Sequence, residues 1–140
     1  MSSPNQLLLL QGLPASGKTT YALDLCKQDS SWARINKDDI REFLGNLPWT
    51  KELELTTVQI QRLIALLLVQ YNKCIIVDDT NFRADYVNYW EKFSNGHGYE
   101  FVKLIFNTPV EECINRDANR PKSVGKDVIL KMYNTYLKDS

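Results

Sequence analysis

Apolar residues along the chain gather into short runs, separated by longer stretches in which they recur at helical spacing. Residues 6–11 (QLLLLQ), followed by Gly12, read as a strand buried on both faces, because an exposed strand would alternate polar and apolar positions. A helix is expected over 18–27 and a short second strand over 33–36. Residues 38–44 predict a helix whose first turn carries Asp38 and Asp39, where the dipole favours acids, and which Gly45 can end. Residues 50–70 keep a helical apolar pattern with no breaker. KCIIV, residues 73–77, predicts a third buried strand running into Asp78 and Asp79. A helix over 85–93 and a strand over 99–106 follow. Pro109 suits the first turn of a helix reaching about Asp117. NRPKSVG reads as a loop, and residues 126–137 as a last helix. Strands alternating with helices predict a single α/β domain, with a central parallel sheet of about four strands and helices on both faces.

Ligands of such sheets collect at the C-terminal ends of the strands. The segments there are GLPASGKTT, NKDDIR, DDTNFR and NTPVEE. The first contains Gly12, Gly17, Lys18 and Thr19 in the spacing of a phosphate-binding loop, placed as required between an apolar strand and a helix. Gly12 and Gly17 are expected to let the backbone bend so that its N–H groups face phosphates. Lys18 reaches the β- and γ-phosphates, and the Thr19 hydroxyl ligates Mg²⁺. One substrate is therefore expected to be a nucleoside triphosphate. The loop alone does not separate a kinase from a switch or a motor.

The other strand ends narrow the choice. Asp38 or Asp39 could orient an attacking hydroxyl in line with a γ-phosphate. Arg41, one helical turn after Asp38, could hold an anion in the same pocket. The same residues would also serve as a helix cap and a solvated surface charge. Asp78 or Asp79, closing a buried strand, could orient Mg²⁺, with Thr80 and Asn81 as further donors, although Asp, Thr and Asn also favour turns. Arg116 and Arg120 lie four apart beside Pro121, which suits a C-terminal lid of arginines over a triphosphate. They also suit a basic helix end.

Composition adds limits. The 140 residues carry 17 basic and 17 acidic side chains, so tight nonspecific wrapping of nucleic acid is disfavoured. The charge is nonetheless uneven: residues 41–112 sum to −3 and residues 113–140 to +3. Cys26, Cys74 and Cys113 form no CxxC pair and read as reduced, mostly buried thiols of a cytoplasmic protein. MSSPNQ lacks the basic stretch that precedes a signal sequence, and no apolar run approaches the roughly 20 residues of a membrane span. Trp49 and Tyr86 could stack on bases or serve as partly buried packing residues. His97, in NGHG, is expected on a surface loop.

GLPASGKTT, INKDDIR, VDDTN, and RDANR followed by SVGKDVILKMY together resemble the kinase domain of the phage-type 5′-hydroxyl polynucleotide kinases. The resemblance covers most of the chain and is weakest across residues 45–72. It implies a P-loop kinase fold and transfer of the γ-phosphate of ATP, with Mg²⁺, to the 5′-hydroxyl ends of DNA or RNA. Gly12, Pro14, Ala15, Ser16, Gly17, Lys18, Thr19 and Thr20 would then bind ATP, with Thr19 on the metal. Asp38 would be the general base on the 5′-hydroxyl, and Arg41 would hold the phosphate on the 3′ side of the terminal nucleoside. Asp79 and Thr80 would support that acceptor site. Arg116 and Arg120 would be lid arginines, and Val124 and Val128 would pack against the terminal base. The family often has Val-Pro where this chain has Val124-Gly125. Its bifunctional members add a phosphatase domain with a DxDxT acid pair, which these 140 residues lack, so a kinase-only domain is expected. A small-metabolite or nucleotide kinase of the same fold is the second reading. A toxin-like or drug-modifying phosphotransferase, or an ATP-binding module without transfer, is the third.

Overall fold

The computed structural model describes residues 4–139; Met1, Ser2 and Ser3 of the N-terminal stretch lie outside them. The order of elements is β1 (Gln6–Gln11), α1 (Lys18–Gln28), β2 (Trp32–Ile35), α2 (Lys37–Phe43), α3 (Lys51–Gln70), β3 (Cys74–Asp78), α4 (Ala84–His97), β4 (Glu100–Ile105), α5 (Val110–Ala118) and α6 (Lys126–Tyr136). The four strands form one parallel sheet in the order β2-β3-β1-β4.

The two most apolar strands take the two central places. Leu7, Leu9 and Leu10 of β1 and Ile75, Ile76 and Val77 of β3 are fully buried, as strands covered on both faces must be. The mixed sequences WARI and EFVKLI form the edges. Side chains alternate across the sheet, so Leu7, Leu9, Ile75 and Val77 meet Ala65 of α3 and Trp90 and Phe93 of α4. Leu8, Leu10 and Ile76 meet Ala22 of α1 on the opposite face. A third cluster joins Leu13 of the phosphate loop to Cys113 of α5 and Ile129 of α6, which ties the C-terminal helices to that loop. The expected α/β architecture, four strands and two-sided helix cover are all present.

Register decides what the strand ends bring together. Leu10 pairs with Asp78 and Ile35 with Val77, so the loop after β1, the end of β3 and the residue after β2 lie along one edge of the sheet.

Local expectations fail in three places. The helix expected to stop near residue 93 runs on to His97 and is capped by Gly98 in the left-handed conformation (φ 73°). Packing overrides the weak Asn95-Gly96 pair there. Phe93 and Ser94 are buried, Ser94 Oγ donates to the Trp90 carbonyl at 2.8 Å, and the His97 ring lies 4.5 Å from that of Phe93. His97 is therefore exposed, but on a helix and not a loop. Trp49 is not a packing residue, since it is 70% exposed on the segment between α2 and α3. Of the cysteines, only Cys113 is buried; Cys26 and Cys74 are half-buried at the core margin.

Candidate active site

The phosphate loop leaves β1, turns back over the sheet edge and enters α1. Gly17 has φ 106°, a conformation open to glycine, and Ala15 adopts φ 63° beside it. Gly12 plays a different part from the bend expected of it. A Cβ there would sit 2.9 Å from Phe106 Cβ and 3.1 Å from the Phe106 carbonyl oxygen, so glycine is needed for close approach and not for a positive φ. Ser16 is buried, and its carbonyl accepts the Thr108 hydroxyl at 2.8 Å, so the segment after β4 holds the loop from behind.

Lys18 curls into the loop and donates to the Gly12 and Leu13 carbonyls at 2.8 and 2.7 Å. Burial lowers its pKa to about 8, partly offset by the Asp78 carboxylate. Thr19 Oγ1 donates to Asp78 Oδ2 at 2.9 Å. Asp78, only 1% exposed, also accepts Arg34 Nε at 2.7 Å, so its buried charge has a partner. Of the two acids ending β3, Asp78 is therefore the one beside the phosphate loop. The hydroxyl and carboxylate form an oxygen-rich pair of the kind Mg²⁺ takes when phosphates and water complete its shell. Among the described residues no group of three or more His, Cys, Asp or Glu side chains converges.

Asp79 turns the other way. It accepts the Lys37 backbone N–H at 2.9 Å and Gln61 Nε2, from α3, at 2.7 Å. Burial raises its pKa to about 6, against the pull of these bonds. Asn81 does not supply the free donor expected of it. It is buried with φ 52°, and its amide donates to the Leu10 carbonyl at 2.7 Å and more weakly to Val77 and Asp79. It clasps the ends of β1 and β3 together.

Asn36 follows β2 and caps α2. Its side chain accepts the Asp39 N–H at 2.9 Å and donates to the Asp78 carbonyl at 2.5 Å. That fixes α2 over the cleft and separates the two candidate acids. Asp39 turns back to Arg34 (2.6 Å), while Asp38, 83% exposed, lines the cleft beside Arg41 (2.6 Å). Arg41 also pairs with Glu54 of α3 at 2.6 Å. Burial would lower its pKa, but Glu54 outweighs this and holds it above the ordinary value. Arg41 Nε is buried with no hydrogen-bond partner.

The C-terminal segment closes the cleft. Arg116 leans over the phosphate loop, its Nη1 3.9 Å from where a Cβ of Gly17 would stand, and it pairs with Glu112. Arg120 is held by Asp117 at 2.8 Å. The buried Asp117 carboxylate also accepts the backbone N–H groups of Val124 (3.0 Å) and Gly125 (2.9 Å). Burial would raise its pKa, but these donors win and hold it below the usual value. Val124 and Val128 project, partly exposed, into the same cleft.

The resulting cleft has a volume of about 550 Å³. Of the site residues that the resemblance implies, all but Gly12 and Ser16 line it, and those two shape the loop from within; the alternative candidates Asp39 and Asn81 do not line it. Sequence reasoning missed Arg34, Asn36, Glu54, Gln61 and Asp117 as organisers. Asn36 had a legible signal, as a capping residue before an acidic turn. Asp117 had the i, i+3 spacing to Arg120. Arg34, Glu54 and Gln61 had none, because their partners are distant in sequence.

A parallel sheet, a lysine-bearing phosphate loop backed by a carboxylate, and basic residues arched over both define a P-loop nucleotide-binding protein with the kinase fold. The chain belongs to the AAA-domain family, whose model matches residues 7–138. It is 28% identical over 156 residues to a protein of Autographa californica nuclear polyhedrosis virus named as a bifunctional polynucleotide kinase/RNA ligase. That alignment takes in 99% of this chain and 22% of the relative, so the chain spans about a fifth of the viral protein's length. Among solved structures, a chain of the Pnkp1/Rnl/Hen1 RNA repair complex superposes with a TM-score of 0.82 at 24% identity, over 96% of this chain and 44% of that one. The Mycobacterium tuberculosis APS kinase CysC superposes with a TM-score of 0.67 at 19% identity, over 86% of this chain and 71% of that one. These likenesses establish the fold.

Proposed function

We propose that residues 1–140 form one kinase domain that transfers the γ-phosphate of ATP to the 5′-hydroxyl end of DNA or RNA. The observation that carries this reading is the Asp38–Arg41 pair, at 2.6 Å, in the same cleft as Lys18 and Thr19. A carboxylate for a hydroxyl beside a guanidinium for an anion matches an acceptor that bears both groups. The 28% identity to the viral polynucleotide kinase/RNA ligase supports the same acceptor class.

In this reading the loop from Gly12 to Thr20 cradles the ATP phosphates, with Pro14, Ala15 and Ser16 shaping it. Lys18 neutralises the β- and γ-phosphates. Thr19, backed by Asp78, would hold Mg²⁺, which would supply positive charge against the charge that develops in the transfer. Asp38 orients the O5′–H and takes its proton as the O5′–Pγ bond forms and the bond from Pγ to the bridging oxygen breaks, releasing ADP. Arg41 holds the phosphate on the 3′ side of the acceptor nucleoside from the wall of the same cleft. Asp79 and Thr80 form the floor of that acceptor site. Arg116 and Arg120 stabilise the transferring phosphoryl group, and Val124 and Val128 flank the terminal base. The free cysteines suit a reducing, cytoplasmic setting, and no helix among the described residues is long and apolar enough to cross a membrane.

The test is transfer of γ-labelled phosphate from ATP with Mg²⁺ to a 5′-hydroxyl oligonucleotide, a 3′-nucleotide, a nucleoside monophosphate and small alcohols. Label is expected on the 5′ ends of the oligonucleotide and the 3′-nucleotide. Asp38→Ala should lower that turnover by about 10² or more while ATP still binds. Label confined to a monophosphate or a small alcohol would overturn the acceptor assignment. Arg41→Ala should harm acceptors with a 3′-phosphate far more than a free nucleoside; equal harm to both would remove Arg41 from the acceptor site.

A further inference from the structure

A second cleft, of about 320 Å³, opens directly beyond the first. The two share Lys37, Arg41, Thr80 and Met132 as a common wall. The far side of the second cleft is built from Trp49, Arg83 and Tyr86. No role proposed above for phosphate transfer uses these three.

Their arrangement suits one ligand. Trp49 is 70% exposed while lining the cleft, so its large apolar face is open to solvent beside a charged hollow. Tyr86 is different: its ring carries Lys37 Nζ and Arg83 Cζ, each 4.4 Å from the centroid, which sets both cations around the cleft. Arg83 is half-exposed; among the described residues its carboxylate partner is the equally exposed Asp85, which it meets through Nε at 3.1 Å and Nη2 at 2.8 Å, and it also donates to the Tyr86 hydroxyl at 3.3 Å. Solvent screens this exposed pair, so a phosphate can compete with Asp85 for the guanidinium. Glu54 is the one acid on the wall, and Lys37 and Arg41 already neutralise it. An open aromatic face next to several cations is how proteins hold single-stranded nucleic acid, by stacking a base and tracking its backbone.

We infer that this second cleft is the subsite for the second nucleotide from the 5′ end, with its base on Trp49 and its 3′-phosphate at Arg83. The inference rests on the acceptor reading above. If Arg41 holds the phosphate joining the first two nucleotides, the strand leaves the first cleft at Arg41, and the shared wall directs it into the second. The enzyme then takes a strand end at least two nucleotides long in preference to a mononucleotide, and it does so without reading sequence, since every base presents a face to stack.

The experiment compares kcat/KM for a 5′-hydroxyl dinucleotide bearing a 3′-phosphate with that for a nucleoside 3′-phosphate. It uses the full chain and Trp49→Ala, Trp49→Phe and Arg83→Ala. The wild-type ratio is expected to be about 5- to 100-fold in favour of the dinucleotide, the range that one stacked base supplies. Trp49→Ala should lower the ratio severalfold, Trp49→Phe should lower it less, and Arg83→Ala should lower it for the dinucleotide with the 3′-phosphate but not for one without. A wild-type ratio near one, or a ratio unmoved in Trp49→Ala, overturns the subsite. A second readout does not depend on turnover: the same dinucleotide should quench tryptophan emission in the wild type and much less in Trp49→Phe. Quenching without phosphate transfer would refute the kinase reading and keep the subsite. Transfer without quenching would do the reverse.

Discussion

Asp79 shows at the level of one residue what the cleft costs the fold. Its carboxyl has a native pKa of about 6 against 3.8 for the free group, because burial disfavours its charge more than Gln61 and the Lys37 N–H favour it. The native state thus binds more protons than the unfolded chain between pH 4 and 6. By linkage, the contribution of Asp79 to stability is greatest below about pH 4 and falls as the pH rises to 6. Asp79→Asn keeps the shape and removes the titration. Urea denaturation from pH 4 to 6 should show a flatter slope for the variant, with a difference on the order of 1–3 kcal/mol accumulated across the interval. Parallel slopes would mean that Asp79 is ordinarily solvated. Lys18 shows the same principle with the opposite charge, since it too is buried for the sake of the site and loses basicity for it.

At the scale of elements, the segment between α5 and α6 depends on a single carboxylate. Asp117 accepts Val124 N–H on one oxygen and Gly125 N–H on the other, and holds Arg120 from the side. A negatively charged acceptor of this kind strengthens each bond to about 1.5–3 kcal/mol, where a neutral one gives about 1. Asp117→Asn removes the charge and one of the two acceptors. Amide hydrogen exchange at Val124 and Gly125 should therefore accelerate by about tenfold or more, and phosphate transfer should fall because Arg120 is no longer held in place. Unchanged exchange at both amides would show that the segment is fixed by its packing alone. The N-terminus of α2 is held in the same manner by Asn36, which explains why Asp38 and not its neighbour Asp39 faces the cleft.

For the whole molecule, the sheet and the C-terminal helices grip the phosphate loop from two sides, through Asp78 and through Leu13 with Cys113 and Ile129. A nucleotide seated in the loop should therefore stabilise the entire domain and not one flap of it. Saturating ATP with Mg²⁺, at about 100 times its Kd, is expected to add about 2.7 kcal/mol to the unfolding free energy, as a single cooperative shift in Tm. Lys18→Met should abolish the shift while the protein still folds, because a side chain of similar length keeps the packing and loses the charge. A shift that survives the substitution would place the nucleotide elsewhere.

The sequence by itself determined the order of the elements and the phosphate-loop pattern. QLLLLQ and CIIVD are too uniformly apolar to be anything but buried strands, and GLPASGKTT between a strand and a helix has the spacing of a phosphate-binding loop, a matter of local backbone geometry. Such features are legible because their cause lies within a few residues. Helix α4 runs past the end its local sequence predicts because its last turn is stabilised by a core that the local sequence does not contain. Tertiary structure alone decided which of two adjacent acids does what. The choice between Asp38 and Asp39 depends on Arg34 and Arg41, and the choice between Asp78 and Asp79 depends on Thr19 and Gln61. It decided the exposure of Trp49 and the joining of two clefts at Arg41 in the same way. Such outcomes depend on strand register and helix placement, which bring together residues tens of positions apart, and no local pattern encodes those distances.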